Sequence, residues 1–205
     1  MKVAVGACLA ITLAAPSGAG VLQVYVVDSA QSEVVIHVGR AGLFKFAGHA
    51  HEVLAPRFEG EIQANASDIG ASSVQLGFET GALQVSGRGE PPEDVPKVQA
   101  RMIGPELLDV ARFPHVTFHS TRVEARQAAK DTYDLRITGE LSVHGVTRSI
   151  ILPVRVVVTS AALRASGTLV LRQTDYALTP VSVAGVVKVK DELAIELRIV
   201  ARVAP

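Results

Sequence analysis

The 205-residue sequence has one cysteine, no tryptophan and few aromatic side chains. Cys8 lies in the N-terminal apolar run, so the chain beyond that run has no thiol for a disulfide or for nucleophilic catalysis. Six phenylalanines and three tyrosines are the whole aromatic content. The protein therefore relies on an apolar core and not on covalent cross-links.

An excess of charge of one sign is also missing. The chain has 20 basic and 20 acidic side chains, and loss of Lys2 with residues 1–19 leaves 19 of the basic ones. This balance does not favour nucleic acid or an anionic membrane surface as a partner. The sequence also lacks a G-x-S-x-G elbow, a phosphate-binding loop and an H-E-x-x-H zinc motif. We therefore predict a protein that is not an enzyme and does not bind nucleic acid.

Residues 1–19 have the pattern of a secretory signal peptide. Lys2 supplies a positive start, residues 3–15 form an apolar run, and residues 17–19 provide a small-residue site after which we predict cleavage. A retained anchor is the weaker alternative, because this run is shorter than the roughly 20 residues needed to span a bilayer. We expect a periplasmic or secreted protein without stable membrane insertion, with residues 20–205 as one domain.

Alternation of apolar and polar residues predicts eight or nine antiparallel strands. Gly145 lies in the break between two of these runs, where its freedom to adopt positive φ favours a hairpin turn. Several runs exceed the usual strand length of about five or six residues, which is typical of strands that curl into a barrel. The predicted strands are 21–27, 34–38, 58–64, 74–78, 116–123, 133–143, 150–158, 163–172 and 193–203.

A short helical insertion interrupts the strands. Val95, Val98 and Met102 have helical spacing after Asp94, which is a plausible N-cap residue. A second helical turn is predicted at residues 105–110, which begin with a proline. The insertion lies between the fourth and fifth predicted strands, so the fold class is an all-β, antiparallel, up-and-down barrel with a short helical insertion.

Two motifs resemble those of the YceI-like family. They are Phe-Pro-His-Val-Thr-Phe-His-Ser-Thr at 113–121 and Gly-Glu-Leu-Ser-Val-His-Gly-Val-Thr-Arg at 139–148, and the similarity extends from Tyr25 to Leu193. The family consists of small, mostly periplasmic, lipocalin-like barrels whose better-known members carry isoprenoid lipids. The resemblance implies a lipocalin-like barrel that transports or sequesters an amphiphilic isoprenoid or quinone lipid without chemistry. It implies no other cofactor, and a homodimer is an allowed assembly.

Ten apolar positions are candidates for the wall of the lumen on this hypothesis. An eight-stranded barrel can be filled by its own side chains or can hold one small ligand, and periodicity does not decide between them. A filled barrel that acts as an envelope interaction module therefore stays open as an alternative. The predicted lipid-binding residues are Val34, Ile36, Val38, Phe44, Phe46, Phe78, Phe118, Leu135, Ile137 and Leu141.

The segment Gly-His-Ala-His at 48–51 departs from the family pattern. His49 and His51 are two residues apart, so on a strand they share one face and could offer two imidazoles to one metal ion. A periplasmic metal-binding protein is therefore a second hypothesis. The competing interpretation is that both histidines form hydrogen bonds that shape a glycine-rich bend at the barrel mouth.

Overall fold

A computed structural model of the chain describes residues 22–41, 51–159, 161–180, 182–183 and 187–204. These residues contain twelve strands and one α-helix, α1 (Val95–Ile103). The strands are β1 (Leu22–Val27), β2 (Glu33–Ala41), β3 (His51–Leu54), β4 (Phe58–Asn65), β5 (Ser73–Glu79), β6 (Gln84–Val85), β7 (His115–Ala129), β8 (Thr132–Val143), β9 (Val146–Val158), β10 (Ala162–Arg172), β11 (Ser182–Val183) and β12 (Val187–Val203).

The sheet closes on itself as an antiparallel barrel. The neighbours follow the order β1-β4-β5-β7-β8-β9-β10-β12, and β12 pairs again with β1 through Tyr25 with Val203 and Val27 with Ala201. Apolar side chains alternate into the interior, where Phe118 is 3% exposed. The predicted all-β, up-and-down barrel of eight strands with one short helix is confirmed.

Three barrel strands are each made of two segments. β12 pairs with β2 and then with β1 along one edge, so these two segments follow one another in one barrel strand. In the same way, β3 and β4 together form the second barrel strand, and β5 and β6 together form the third. The reason is that β1, β4 and β5 are neighbours in one part of the barrel, while β2 pairs with β3 and β3 pairs with β6 in the other part. The runs predicted at 21–27 and 34–38 are therefore one barrel strand. For this reason the helix follows the third barrel strand and not the fourth.

Helix α1 covers the free edge of β6. The side-chain amide of Gln99 accepts a hydrogen bond from the N–H of Val85 and donates one to the carbonyl of Leu83, both at 2.8 Å. It thus bonds to this edge as the backbone of a further strand would, which protects an edge that would otherwise be unpaired.

The ends of this insertion differ from the sequence prediction in detail. Asp94 stands at the N-cap position, but its side chain bonds the ammonium of Lys97 at 2.8 Å and makes no cap hydrogen bond. Residues 105–110 form a series of turns and not a helix. Asp109 has a φ of 43°, a left-handed conformation that does not continue a right-handed helix.

The wall between β9 and β10 is paired along only part of its length. The ladder runs from Val158 with Leu163 to Val154 with Gly167 and ends there. Pro153 is the next residue of β9, and its carbonyl oxygen lies against Gly167. Proline has no N–H to donate to a neighbouring strand, which explains why the ladder ends at this position.

The hairpin between β8 and β9 has a two-residue turn. His144 and Gly145 have φ values of 50° and 75°, the left-handed pair that a type I′ turn requires. The positive φ expected for Gly145 is confirmed. The His144 ring packs on Phe113 with 4.3 Å between the ring centroids, which agrees with a structural role for this histidine.

We expect Gly139→Ala to destabilise the barrel. A Cβ at this position would lie 2.5 Å from the carbonyl oxygen of His119 and 2.5 Å from the Phe118 ring. Overpacking of this kind typically costs about 1–3 kcal/mol. The matched control is Gly77→Ala on β5, whose added Cβ would have its nearest neighbour at 3.7 Å. Urea unfolding should show a lower midpoint for the first variant only, and equal midpoints would contradict this packing.

Candidate functional site

The barrel lumen contains a large cavity of about 670 Å³. It lies toward the α1 end, defined as the end that carries α1, the loop at 86–94 and the turn at 144–145. Ligand-binding cavities are typically about 300–1,000 Å³ and mostly apolar. Valine, leucine, isoleucine and phenylalanine side chains from the barrel strands form most of its wall, together with Val98 and Met102 of α1.

A small cavity of about 300 Å³ lies toward the opposite, distal end. Tyr25, Ile62 and Val156 are among its walls. Four side chains line both cavities and so mark where the two meet, and these are Leu76, Leu152, Leu197 and Ile199. The two cavities are therefore adjacent compartments arranged along one lumen.

The structure places eight of the ten predicted wall residues on this lumen. Leu135 and Ile137 line the small cavity. Phe44 and Phe46 lie outside the described residues. The remaining six line the large cavity, and they are Val34, Ile36, Val38, Phe78, Phe118 and Leu141. The inward orientation expected from the alternating pattern is thus found on β2, β5, β7 and β8, while contact with a lipid stays a prediction.

Charged side chains border the large cavity at the α1 end. Lys97 and Arg101 of α1 each bond a carboxylate, Asp94 at 2.8 Å and Glu106 at 3.1 Å. The hydrogen bond from Lys97 to Asp94 raises the pKa of this lysine above its usual value. Both cations are largely exposed, so each already has a carboxylate partner and also contacts solvent.

A histidine and a glutamate meet on the wall of the same cavity. The Nδ1 atom of His51 lies 2.8 Å from Oε1 of Glu90, and the Glu90 side chain is only 1% exposed. The second carboxylate oxygen, Oε2, is buried and has no hydrogen-bond partner among the described residues. An unsatisfied buried acceptor costs about 1–3 kcal/mol, and more when it is charged.

The structure leaves the metal hypothesis as a prediction. His49 lies outside the described residues, and His51 uses Nδ1 in its contact with Glu90. Within the described ranges, no three side chains of His, Cys, Asp or Glu are grouped so that they could hold a metal ion. The imidazole of His51 lines the large cavity and is hydrogen-bonded to Glu90, while His49 and most of the glycine-rich bend of the competing interpretation lie outside the described residues.

A 3₁₀ turn at Gln173–Tyr176 packs beside the unpaired part of β9 and β10. The Asp191 carboxylate accepts hydrogen bonds from the Thr174 N–H at 2.9 Å and the Thr174 hydroxyl at 2.7 Å. These bonds lower the pKa of Asp191 below the usual value for a carboxyl group. Arg148 donates to the carbonyl of Asp175 at 3.0 Å, which fixes the turn to β9.

Tyr176 belongs to the core beneath this turn. It is 3% exposed, and its hydroxyl is buried without a partner among the described residues. Burial raises the pKa of this phenol above its usual value. Tyr176 does not line either cavity, so its role is packing at the α1 end.

Among the described residues, no helix is both long and apolar enough to cross a membrane. The closed barrel, the apolar lumen and the helix over one edge define a lipocalin-like barrel with an internal cavity. The model of the YceI-like domain matches residues 25–201. The chain therefore belongs to the YceI-like family, as the two motifs predicted.

Two curated relatives are matched over part of their length. A UPF0312 protein of Enterobacter sp. (strain 638) is 44% identical over 52 residues, 25% of this chain and 24% of the relative. A UPF0312 protein of Azotobacter vinelandii (strain DJ / ATCC BAA-1303) is 31% identical over 98 residues, 48% of this chain and 45% of the relative. The matched part thus spans less than half the length of either.

Solved structures with the same fold cover most of the chain. BcnA of Burkholderia cenocepacia has a TM-score of 0.65 at 19% identity, over 85% of this chain and 98% of that one. A polyisoprenoid-binding domain from Saccharophagus degradans, implicated in plant cell wall breakdown, has a TM-score of 0.64 at 12% identity, over 88% and 98%. A Campylobacter jejuni YceI protein has a TM-score of 0.57 at 11% identity, over 75% and 85%. At these identities the likeness establishes the fold.

Sequence reasoning missed Glu90. It lies in the polar loop Gly-Arg-Gly-Glu-Pro-Pro at 87–92, where no periodicity indicates which side chains turn inward. The loop is positioned by a hydrogen bond from the Ser86 N–H to the Glu52 carbonyl at 2.8 Å. This long-range contact and the contact with His51 bring the Glu90 carboxylate to the cavity, and nothing in the local sequence indicates either of them.

We expect His51→Leu to lower the free energy of unfolding by about 1–3 kcal/mol, because the buried Glu90 carboxylate loses its hydrogen-bond partner. The matched control is His119→Leu, since His119 is exposed on β7. Replacement of both His51 and Glu90 by leucine should restore most of the loss, as apolar substitution of buried ion pairs commonly does. Denaturant unfolding measures all three, and a single variant as stable as the control would contradict the contact.

Proposed function

We propose that the protein binds an amphiphilic lipid with an isoprenoid tail in its lumen and transports or sequesters it without catalysing a reaction. The observation that carries this proposal is the pair of adjacent apolar cavities inside a closed barrel. The polyisoprenoid-binding domain from Saccharophagus degradans has the same fold, which supports the ligand class. The secretory pattern of residues 1–19 supports action in the periplasm.

The length of the lumen favours a long tail. Burial of ten CH₂ equivalents contributes roughly 8 kcal/mol before other terms. Association and ordering cost about 4–15 kcal/mol, which offsets most or all of that gain. A tail that extends from the large cavity into the small one buries more surface than a tail confined to the first. We therefore propose a ligand longer than ten carbon atoms.

The two cavities favour the lipid carrier over a barrel filled by its own side chains. A filled interior has few voids larger than a water molecule. The metal-binding alternative depends on His49 and His51, and replacement of both by alanine with a zinc and copper binding assay tests it. Unchanged metal affinity would exclude that pair as the site.

The direct test is to extract the protein purified from the periplasm with organic solvent and to analyse the extract by mass spectrometry, beside elemental analysis of the same sample. We expect a stoichiometric isoprenoid or quinone species. If elemental analysis finds bound metal and the extract contains no lipid, the functional site would instead be assigned to His49 and His51. If the sample contains neither a lipid nor a metal, that result would favour the barrel filled by its own side chains.

A tryptophan placed in the lumen should reduce lipid uptake. Leu171 lines the large cavity, whereas the adjacent Val170 is 60% exposed on the outer face. Because the chain has no tryptophan, each single variant also carries its own fluorescence signal. We expect Leu171→Trp to show apolar, blue-shifted emission and a lower amount of bound lipid. Val170→Trp is the control, with emission typical of water and normal uptake, and equal uptake by both would contradict lumen binding.

A further inference from the structure

We propose that Oε2 of Glu90 accepts a hydrogen bond from the ligand headgroup, so that the lumen selects amphiphiles whose head donates a hydrogen bond, such as an alcohol. This inference rests on the proposed function, because it assigns the polar end of the same site. The tail would occupy the apolar cavities, and the head would lie at the α1 end beside His51 and Glu90.

Among the described residues that line the large cavity, Glu90 is the one with a buried side-chain atom that has no hydrogen-bond partner. In all the described residues, four buried side-chain atoms lack a hydrogen-bond partner, and they are Oε1 of Glu52, Oε2 of Glu90, Nδ1 of His144 and the hydroxyl of Tyr176. Of these four residues only Glu90 lines the large cavity. The other two buried polar side chains of that wall each make a hydrogen bond, since Gln173 donates to the carbonyl of Lys190 and Thr80 donates to the carbonyl of Phe113.

The carboxylate is held in place before any ligand arrives. His51 lies on β3 and fixes Oε1 at 2.8 Å, so Oε2 has one defined direction. Gly87 and Gly89 adopt φ values of 73° and 75°, and the Glu90 N–H bonds the Gly87 carbonyl at 3.3 Å. A preorganised acceptor on an apolar cavity wall loses little freedom on binding.

The charges at this end favour a hydrogen-bond donor over an anionic head. Lys97 and Arg101 are already paired with carboxylates and are largely exposed, so they are poor anchors for a phosphate. The unsatisfied group is itself a carboxylate, and with the shared proton on Nδ1 of His51 it can only accept hydrogen bonds. A phosphate would bring a like charge to a buried acid, whereas a hydroxyl forms a charge-assisted bond.

The test compares three ligands that share one tail: geranylgeraniol, its methyl ether and its monophosphate. Each competes with the fluorescent apolar probe N-phenyl-1-naphthylamine for the purified full chain. We expect the alcohol to bind about tenfold more tightly than the ether, as one lost hydrogen bond to a charged group implies. The monophosphate should bind more weakly than the alcohol.

Glu90→Gln provides the decisive variant. If the amide oxygen keeps the bond to His51, the amide nitrogen replaces Oε2 and can donate to an ether oxygen. We therefore expect the difference between alcohol and ether to fall to within about twofold, since either head can then accept a hydrogen bond. The matched control is Glu93→Gln, which removes the same charge from an exposed side chain nearby and should keep the wild-type ratio.

The outcomes separate this inference from the proposed function. Equal binding of alcohol and ether by the wild-type protein would overturn the inference, and this readout needs no variant to fold. A wild-type preference that Glu90→Gln leaves unchanged would also overturn it. In both cases the ligands would still bind through their tails, so the proposed function as a lipid carrier would be kept. If none of the three ligands displaces the probe, the proposed function fails and the inference fails with it.

Discussion

Closure of the sheet by β12 is the constraint on which the rest of the structure depends. This strand pairs with β10 from Glu192 to Arg202 on one edge and with β2 and β1 on the other. Because this closure pairs both edges of β12, inward positions face the lumen and outward positions face water. Every second residue from Leu193 to Ile199 therefore lies on the wall of the large cavity. The apolar lumen is thus a direct consequence of strand pairing.

Backbone pairing is less complete at the α1 end than at the distal end, and this gives the barrel a direction. The edge of β6 is bonded by Gln99 of the helix and not by a strand, and the ladder between β9 and β10 stops before Pro153. Both gaps adjoin the part of the lumen that holds the large cavity and the His51–Glu90 contact. The distal end has strand pairing between β1 and β12 and a small apolar cavity. An apolar lumen with a buried carboxylate on its wall at the α1 end is complementary to an amphiphile.

The sequence was sufficient for the barrel because each long strand separates two environments. β8, β9 and β12 show alternation since one face meets the lumen and the other meets solvent. Cavity volume was not predictable, because it depends on how side chains of neighbouring strands meet. A Cβ on Gly60 would lie 2.5 Å from Leu76, and one on Gly139 would meet Phe118, so these glycines determine where the larger side chains pack. The merging of two predicted runs into one barrel strand likewise depends on pairing with a distant strand.

The burial of Glu90 is best understood together with the cavity. A carboxylate with one unpaired oxygen lowers stability, and an apolar side chain at the same site would avoid that cost. Local rules of stability are most often broken where a protein binds something. Here the exception lies on the wall of the large cavity, beside a histidine that orients the carboxylate. On our proposal, this acceptor is unsatisfied in the ligand-free barrel and satisfied in the ligand-bound one, and it thereby adds selectivity to an otherwise apolar site, whose walls alone would distinguish ligands mainly by length.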